Sequence, residues 1–325
     1  MKKTISLITA LLMIAALFGS CGEGGVNKND ENSEIQIVTT VFPIYDWVRN
    51  IIGTDNENIE LTMLLDSGTD LHSFQPSAAD IMKVADCDMF IYVGGESDEW
   101  VDDVLKEKTN TDMKLISLMT ELGEALREER TAEGMEPEEE EGEGEEETEY
   151  DEHIWLSLKN ASALCKKISA EIAELDTENA SVYLTNAEEY CSQIEALDKE
   201  YESTVSSVSK STLVFADRFP FEYLCADYGI DYYAAFKGCS AESEASFKTI
   251  TFLAEKIDEL GLGFIIKIDS SDGSVAKTVR ENTKQKTQEI LTLNSLQSVT
   301  AEQANETAYV DVMRENLQII KTALS

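Results

Sequence analysis

Apolar positions along the chain alternate between the short period of strands and the longer period of helices. Glu34 to Thr40, Asn58 to Leu65, Asp88 to Val93 and a run opening at Lys114 to Ser117 carry the apolar, β-branched sequence of buried strands. Between them, Tyr45 to Ile52 and Ser77 to Val84 show helical spacing, with Ser77 placed to cap the second helix. The pattern returns after residue 210. Strands at Thr212 to Phe215, Tyr232 to Phe236, Gly263 to Ile268 and Glu289 to Leu293 alternate there with helices. Those helices are expected at Phe219 to Tyr228, Ser243 to Leu260, Ser274 to Glu281 and Ala301 to Ala323. Such alternation predicts parallel sheets with crossover helices.

A longer helical pattern separates the two halves. After a helix over Ser157 to Leu175, Asp176 reads as a cap, and Ala180, Leu184, Ala187, Cys191, Ile194, Leu197, Tyr201 and Val205 follow at spacings of three and four. About thirty helical residues span roughly 45 Å, more than one small lobe requires. The expected fold class is therefore α/β, with two parallel-sheet lobes joined by one long rigid helix. The first lobe covers residues 35–175, the linking helix 176–209 and the second lobe 210–325. An acidic loop at about residues 124–150 interrupts the first lobe; its Glu133 to Glu152 stretch reads EGMEPEEEEGEGEEETEYDE and is expected to be disordered and solvated. A ligand is expected between the lobes, beyond the carboxyl ends of the strands.

The N-terminus predicts export. Lys2 and Lys3 precede an apolar run from Ile5 to Phe18, too short for a span of about 20 residues but suited to a secretory signal. Leu17-Phe18-Gly19-Ser20-Cys21 resembles the lipobox of bacterial lipoproteins. Residues 1–20 are read as the signal, Cys21 as the lipidated residue and residues 21–34 as a flexible tether. The expected location is the outer face of a bacterial cytoplasmic membrane, or the periplasm. The net charge of −38 excludes nucleic acid as a partner and favours cations. Beyond Cys21, the cysteines are Cys87, Cys165, Cys191, Cys225 and Cys239, an odd set without CxxC spacing that argues against a full disulfide framework.

Candidate chemistry centres on the two histidines of the chain. His72 lies in GTDLHSFQP after the second strand, and His153 in YDEHIWL after the acidic loop; both have carboxylates beside them. Two imidazoles with one or two carboxylates make a site suited to zinc and tolerable for manganese. The second lobe has no histidine, so further ligands are sought at its strand ends: Asp217 and Asp269 first, then Glu244 and Cys239. A metallohydrolase using Glu152 as its base is the enzymatic alternative. HExxH, GxSxG and Walker motifs are absent, so the chain is not expected to be an enzyme.

VTTVFPIYDWV, GTDLHSFQPSAADI, ADCDMFIYVGG, DEHIWLSLKNA and GCSAESEAS together make the chain resemble the zinc- and manganese-binding lipoproteins of bacterial ABC importers, from about Ile35 to the C-terminus. The resemblance implies a monomeric receptor that captures a divalent metal and delivers it to an importer of permease and ATPase subunits. It implies His72 and His153 as ligands, with Asp269 at the place of the family's final carboxylate. The family's third ligand, histidine or glutamate, is matched by Ala216, with Asp217 beside it as a substitute. The loop before His153 is histidine-rich in many zinc-binding relatives and glutamate-rich here. Zinc is the expected cargo. A manganese receptor of the same type and a metal-containing surface adhesin are the alternatives.

Overall fold

Two sheets of identical strand order organise the chain. The first contains β1 (Ile35–Thr39), β2 (Ile59–Met63), β3 (Met89–Tyr92) and β4 (Lys114–Ser117), in the order β2-β1-β3-β4 and all parallel. The second repeats it with β5 (Thr212–Phe219), β6 (Asp231–Lys237), β7 (Phe264–Ile268) and β8 (Glu289–Leu293), in the order β6-β5-β7-β8. In each sheet strand order reverses beside the first strand, which opens a crevice at the carboxyl ends. The computed structural model describes residues 34–54, 56–136, 149–240 and 244–325. The expected signal, Cys21, nearly all of the tether and the most glutamate-rich part of the acidic loop lie outside them.

Parallel strands need crossovers, and helices supply most of them. The first lobe carries α1 (Phe42–Ile52), α2 (Ala78–Asp86), α3 (Trp100–Lys106), α4 (Leu118–Leu122) and α5 (Leu158–Leu175). The linking helix is α6 (Ala180–Ser207), and α7 (Glu222–Tyr228), α8 (Phe247–Leu260), α9 (Ser274–Asn282), α10 (Ala301–Ala304) and α11 (Tyr309–Leu324) follow. Ser77 caps α2 as expected: its hydroxyl accepts from Asp80 N (3.3 Å), and the Asp80 carboxylate accepts from Ser77 N (3.0 Å). The 28 residues of α6 extend about 42 Å. Its buried stripe is Tyr183, Ala187, Tyr190, Cys191, Ile194, Leu197 and Tyr201.

Three expectations need correction. Asp176 does not cap α6; it ends α5 and holds the turn, accepting from Asn179 Nδ2 (2.8 Å) and the Tyr183 hydroxyl (2.7 Å). The single helix expected over Ala301 to Ala323 is broken between α10 and α11. Arg49 reaches across from α1 and takes the Ala304 and Thr307 carbonyls, so these do not continue a helical ladder. Residues 126–136, placed by composition in a disordered loop, lie against the second lobe. Glu136 N donates to Ala235 O (2.9 Å), and its carboxylate accepts from Ser246 N (2.9 Å) and Thr249 Oγ1 (2.7 Å) at the start of α8. Met135 is buried beside them. A carboxylate held at the positive end of a helix outweighs the acidic composition.

One apolar core runs through both lobes, from Ile37, Trp47 and Phe90 through Tyr190 and Ile194 to Phe215, Ile266 and Leu317. A smaller cluster, with Val214, Ala216, Leu253 and Val279, fills the other side of the second sheet under α8 and α9. Asp46 joins three elements within the main core. The fully buried carboxylate pairs with Arg49 and accepts from Asn50 Nδ2 (3.2 Å) on α1, the Tyr190 hydroxyl (2.8 Å) on α6 and Tyr309 N (3.1 Å) at the start of α11. Removing the acceptor leaves these buried donors unpaired. Asp46→Ala is expected to lower unfolding free energy by about 3 kcal/mol or more in chemical denaturation; a loss below about 1 kcal/mol would contradict this role.

Candidate metal centre

The first imidazole is placed by a short turn after β2. Asp70 caps the 3-10 turn Leu71–Ser73, its Oδ1 accepting from His72 N (3.1 Å). The second imidazole precedes the 3-10 turn Ile154–Leu156. Asp151 Oδ1 accepts both His153 N (2.7 Å) and His153 Nδ1 (3.0 Å), which fixes the backbone and the ring at once. Trp155 then ties this loop to the second lobe: its Nε1 donates to Ser295 O (2.9 Å), and its carbonyl accepts from the Tyr309 hydroxyl (2.6 Å).

These two loops bring His72 Nε2 and His153 Nε2 to 3.1 Å. Two nitrogens on one tetrahedral zinc, each at about 2.0–2.1 Å, stand about 3.3 Å apart, so the pair is spaced as two ligands of one ion. Both Nδ1 atoms are held from behind. That of His72 meets Ser97 Oγ at 2.8 Å and Glu152 Oε2 at 3.5 Å; that of His153 meets Asp151. Carboxylates behind ligand imidazoles orient them and raise their basicity. Glu152 is itself located by Ser97 N, which donates to its Oε1 (3.0 Å), and by Gly95, where a Cβ would come within 2.4 Å of that oxygen.

The loop after β6 supplies a third donor. Gly238 lies so close to the His153 ring that a Cβ would meet its Nδ1 at 3.2 Å and Phe219 O at 2.8 Å. The next residue is Cys239, whose N donates to Glu129 Oε1 (2.9 Å). One donor atom from each of His72, His153 and Cys239 lies within 4.8 Å of the other two. His72 and Cys239 line a cleft of about 640 Å³ together with Glu96, Glu99, Glu129, Glu149 and Glu152, and His153 is fully buried. This acidic mouth attracts cations toward the donors.

Burial and charge set the protonation of these groups. Burial holds the His72 imidazole down to about 3, with neighbouring His153 and Arg218 adding to the effect and Asp70 opposing it. For His153, burial acts downward, but Asp151, Asp70 and Glu152 outweigh it and hold the imidazole above its usual range. His153 therefore takes up a proton more readily than His72 does. Burial pushes up the Cys239 thiol, and Glu129, Asp151 and Glu152 add to the rise. Burial likewise raises Glu152 and takes Asp98, deeper behind it, up to about 7.

The remaining candidates stand elsewhere. Asp217 accepts from Arg218 N (2.9 Å) and Ile268 N (3.4 Å), and Asp269 accepts from Ser295 N (2.7 Å) and Ser295 Oγ (2.9 Å). Neither belongs to the converging group found among the described residues. Glu244 is exposed. Ala216, matched to the family's third ligand, is fully buried in the core of the second lobe. Pairing between β5 and β6 shifts register between Phe215 and Arg218, which breaks simple alternation along the strand end. The β5 residue that reaches the first lobe is Arg218, whose Nη2 donates to Asp70 Oδ2 (2.8 Å). Sequence reasoning missed Asp70, Ser97, Glu129, Asp151 and Arg218. One signal was available: each histidine follows an aspartate by two residues, in Asp70-Leu71-His72 and Asp151-Glu152-His153.

Comparison with known proteins places the chain in a family. The chain is 30% identical over 324 residues to the zinc-binding lipoprotein AdcA of Streptococcus pneumoniae serotype 4, covering 98% of this chain and 60% of that protein. It is 29% identical over 324 residues to the high-affinity zinc uptake system protein ZnuA of Bacillus subtilis, covering 97% of each. The chain thus spans about 60% of the length of the streptococcal relatives it matches and nearly all of the Bacillus one. Its fold is similar to the Zn(II)-bound ZnuA-like domain of S. pneumoniae AdcA, with TM-score 0.70, 24% identity, and coverage of 90% of this chain and 99% of that one. It is also similar to the metal-dependent lipoprotein YcdH of B. subtilis, with TM-score 0.72, 24% identity, and coverage of 90% and 100%. Because the family model for the periplasmic zinc-uptake complex component A matches residues 37–323, almost the whole of the folded body, the chain belongs to that family.

Proposed function

We propose that this protein captures a divalent transition metal, zinc by its donor set, in the cleft between its lobes and hands it to an ABC importer. The observation that carries the reading is the pair of Nε2 atoms 3.1 Å apart, each ring held at its other nitrogen. Membership of a zinc-uptake family, whose members are uptake components rather than enzymes, supports the same reading. His72, His153 and Cys239 are the proposed donors. A fourth position is left to water or to a second-lobe carboxylate, Asp217 or Asp269, drawn in as the cleft tightens. A thiolate beside two imidazoles favours zinc over the harder manganese ion. Anchoring through a lipidated Cys21 would keep the receptor beside its importer, and none of the described helices is long and apolar enough to cross a membrane.

The continuous core through both lobes supports a small rocking motion on loading rather than wide hinge closure. Zinc enters as cargo. The acidic mouth draws it in, the neutral His72 meets it first, and His153 and Cys239 each release a proton to complete the set.

Two measurements test this account. Elemental analysis after incubation with equal zinc and manganese is expected to find one retained zinc. His72→Ala or His153→Ala should weaken binding by more than about a hundredfold, and Cys239→Ser by about tenfold or more. Retention of manganese, or full zinc retention by the histidine variants, would contradict the site. Each proton displaced by the metal steepens the loss of affinity by about tenfold per pH unit. With the thiol pushed up and His153 held above its usual range, lowering the pH is expected to reduce affinity about tenfold per unit well above neutrality, where only Cys239 yields a proton. Below the His153 pKa the slope should steepen to about a hundredfold per unit. A pH-independent affinity would rule out this ligation.

A further inference from the structure

The three donors come from loops far apart in the chain, and Glu129 joins two of those loops. Residues 127–129 run antiparallel to residues 149–151. Asp151 N donates to Arg127 O (2.9 Å), Glu128 bridges Tyr150, and Glu129 N donates to Glu149 O (2.9 Å). The second of these arms leads directly into His153, which Asp151 holds. The Glu129 side chain crosses to the second lobe, where its Oε1 accepts from Cys239 N (2.9 Å). Tyr223 on α7 fastens both arms from that lobe: its hydroxyl accepts from Arg127 N (3.1 Å) and donates to Asp151 O (3.1 Å). Glu129 thus stands between the arm that carries His153 and the loop that carries Cys239, and it lines the same cleft as His72 and Cys239.

We propose that Glu129 is a positioning residue of the metal centre, holding Cys239 within bonding reach of an ion carried by the two imidazoles. This rests on the reading of the cleft as a metal site with Cys239 among its donors. The physical case begins at the Cys239 loop. Gly238 packs against Phe219 O and the His153 ring more closely than a Cβ allows. Glycine permits that approach but restrains the backbone least of all residues, so the sulfur beside it needs an outside anchor. A carboxylate accepting the amide of the donor residue supplies one, and such a charge-assisted bond is roughly twice as strong as a neutral one. The anchor is itself fixed. Its backbone is bonded to the arm of His153, and further along the segment Met135 is buried while Glu136 is bonded to Ala235 of β6 and to Ser246 and Thr249 at α8. A displaced Glu129 carboxylate therefore moves the thiol relative to the imidazole. Partners one step behind metal donors commonly change affinity by about 10–100-fold.

Two conservative variants separate placement from charge. Glu129→Gln keeps an oxygen acceptor at the same reach and loses the charge; Glu129→Asp keeps the charge and stops one methylene short of Cys239 N. Cobalt(II) is the probe, because a cobalt–thiolate bond adds a near-ultraviolet charge-transfer band that imidazole and carboxylate ligands do not. Zinc affinity is measured in parallel by chelator competition. The unsubstituted protein should show the band, and Cys239→Ser should lack it. Glu129→Gln is expected to retain most of the band, whereas Glu129→Asp should lose about half of it or more and bind zinc about tenfold more weakly. A band in Glu129→Asp as strong as in the unsubstituted protein would overturn the proposal. So would a Glu129→Gln band as weak as that of Glu129→Asp or weaker, since Glu129 would then act through its charge. Cobalt bound by the unsubstituted protein without the band would remove Cys239 from the donors and this role with it. Neither cobalt nor zinc bound would sink the metal reading itself.

Discussion

The apolar core runs without a break from the first sheet, along the buried stripe of the linking helix, into the second sheet, and every cleft residue takes its position from that continuity. Separate cores would leave the linking helix free to let the lobes swing. Here Tyr190 and Tyr201 on that helix reach opposite ways: the Tyr190 hydroxyl to Asp46 of the first lobe, and the Tyr201 hydroxyl to Met313 O of the last helix (2.6 Å). Trp155 adds a crossing point two residues from His153. A site on such a frame is largely preformed, so little of the binding free energy is spent on ordering it.

The chemistry of the cleft follows from placing neutral donors in front of charged supports. Imidazole rings bind a metal through a free lone pair, while carboxylates behind them fix orientation and answer the charge that arrives. Asp151 does this directly for His153, and Glu152 stands behind His72 with one oxygen lacking a hydrogen-bond partner. An unpartnered buried carboxylate oxygen costs stability.

Much of this was legible in the chain. The strands were found because parallel strands covered on both faces are almost continuously apolar, as in Met89–Tyr92, and the linking helix because Tyr183 to Tyr201 keep one stripe over many turns. The two histidines stood out by scarcity and by their loops. What escaped was set by contacts distant in sequence: the break after Ala304 depends on Arg49, and the placement of Glu136 depends on Ser246 N and the Thr249 hydroxyl, more than a hundred residues away. The order of the second-lobe candidates, with Cys239 behind Asp217 and Asp269, has a related cause. Strand-end periodicity favoured Asp217 and Asp269, but a register shift in β5 and bonds to backbone amides within the lobe occupy both, while a glycine lets Cys239 approach.

The central claim is that one zinc ion is held by two imidazoles and a thiolate. X-ray absorption at the zinc edge of the loaded protein reads that shell directly. The account predicts about two histidine nitrogens, with imidazole multiple scattering, near about 2.0 Å and one sulfur near about 2.3 Å. A shell of oxygen and nitrogen with no sulfur would remove Cys239 from the site, and a shell without imidazole scattering would contradict the account as a whole.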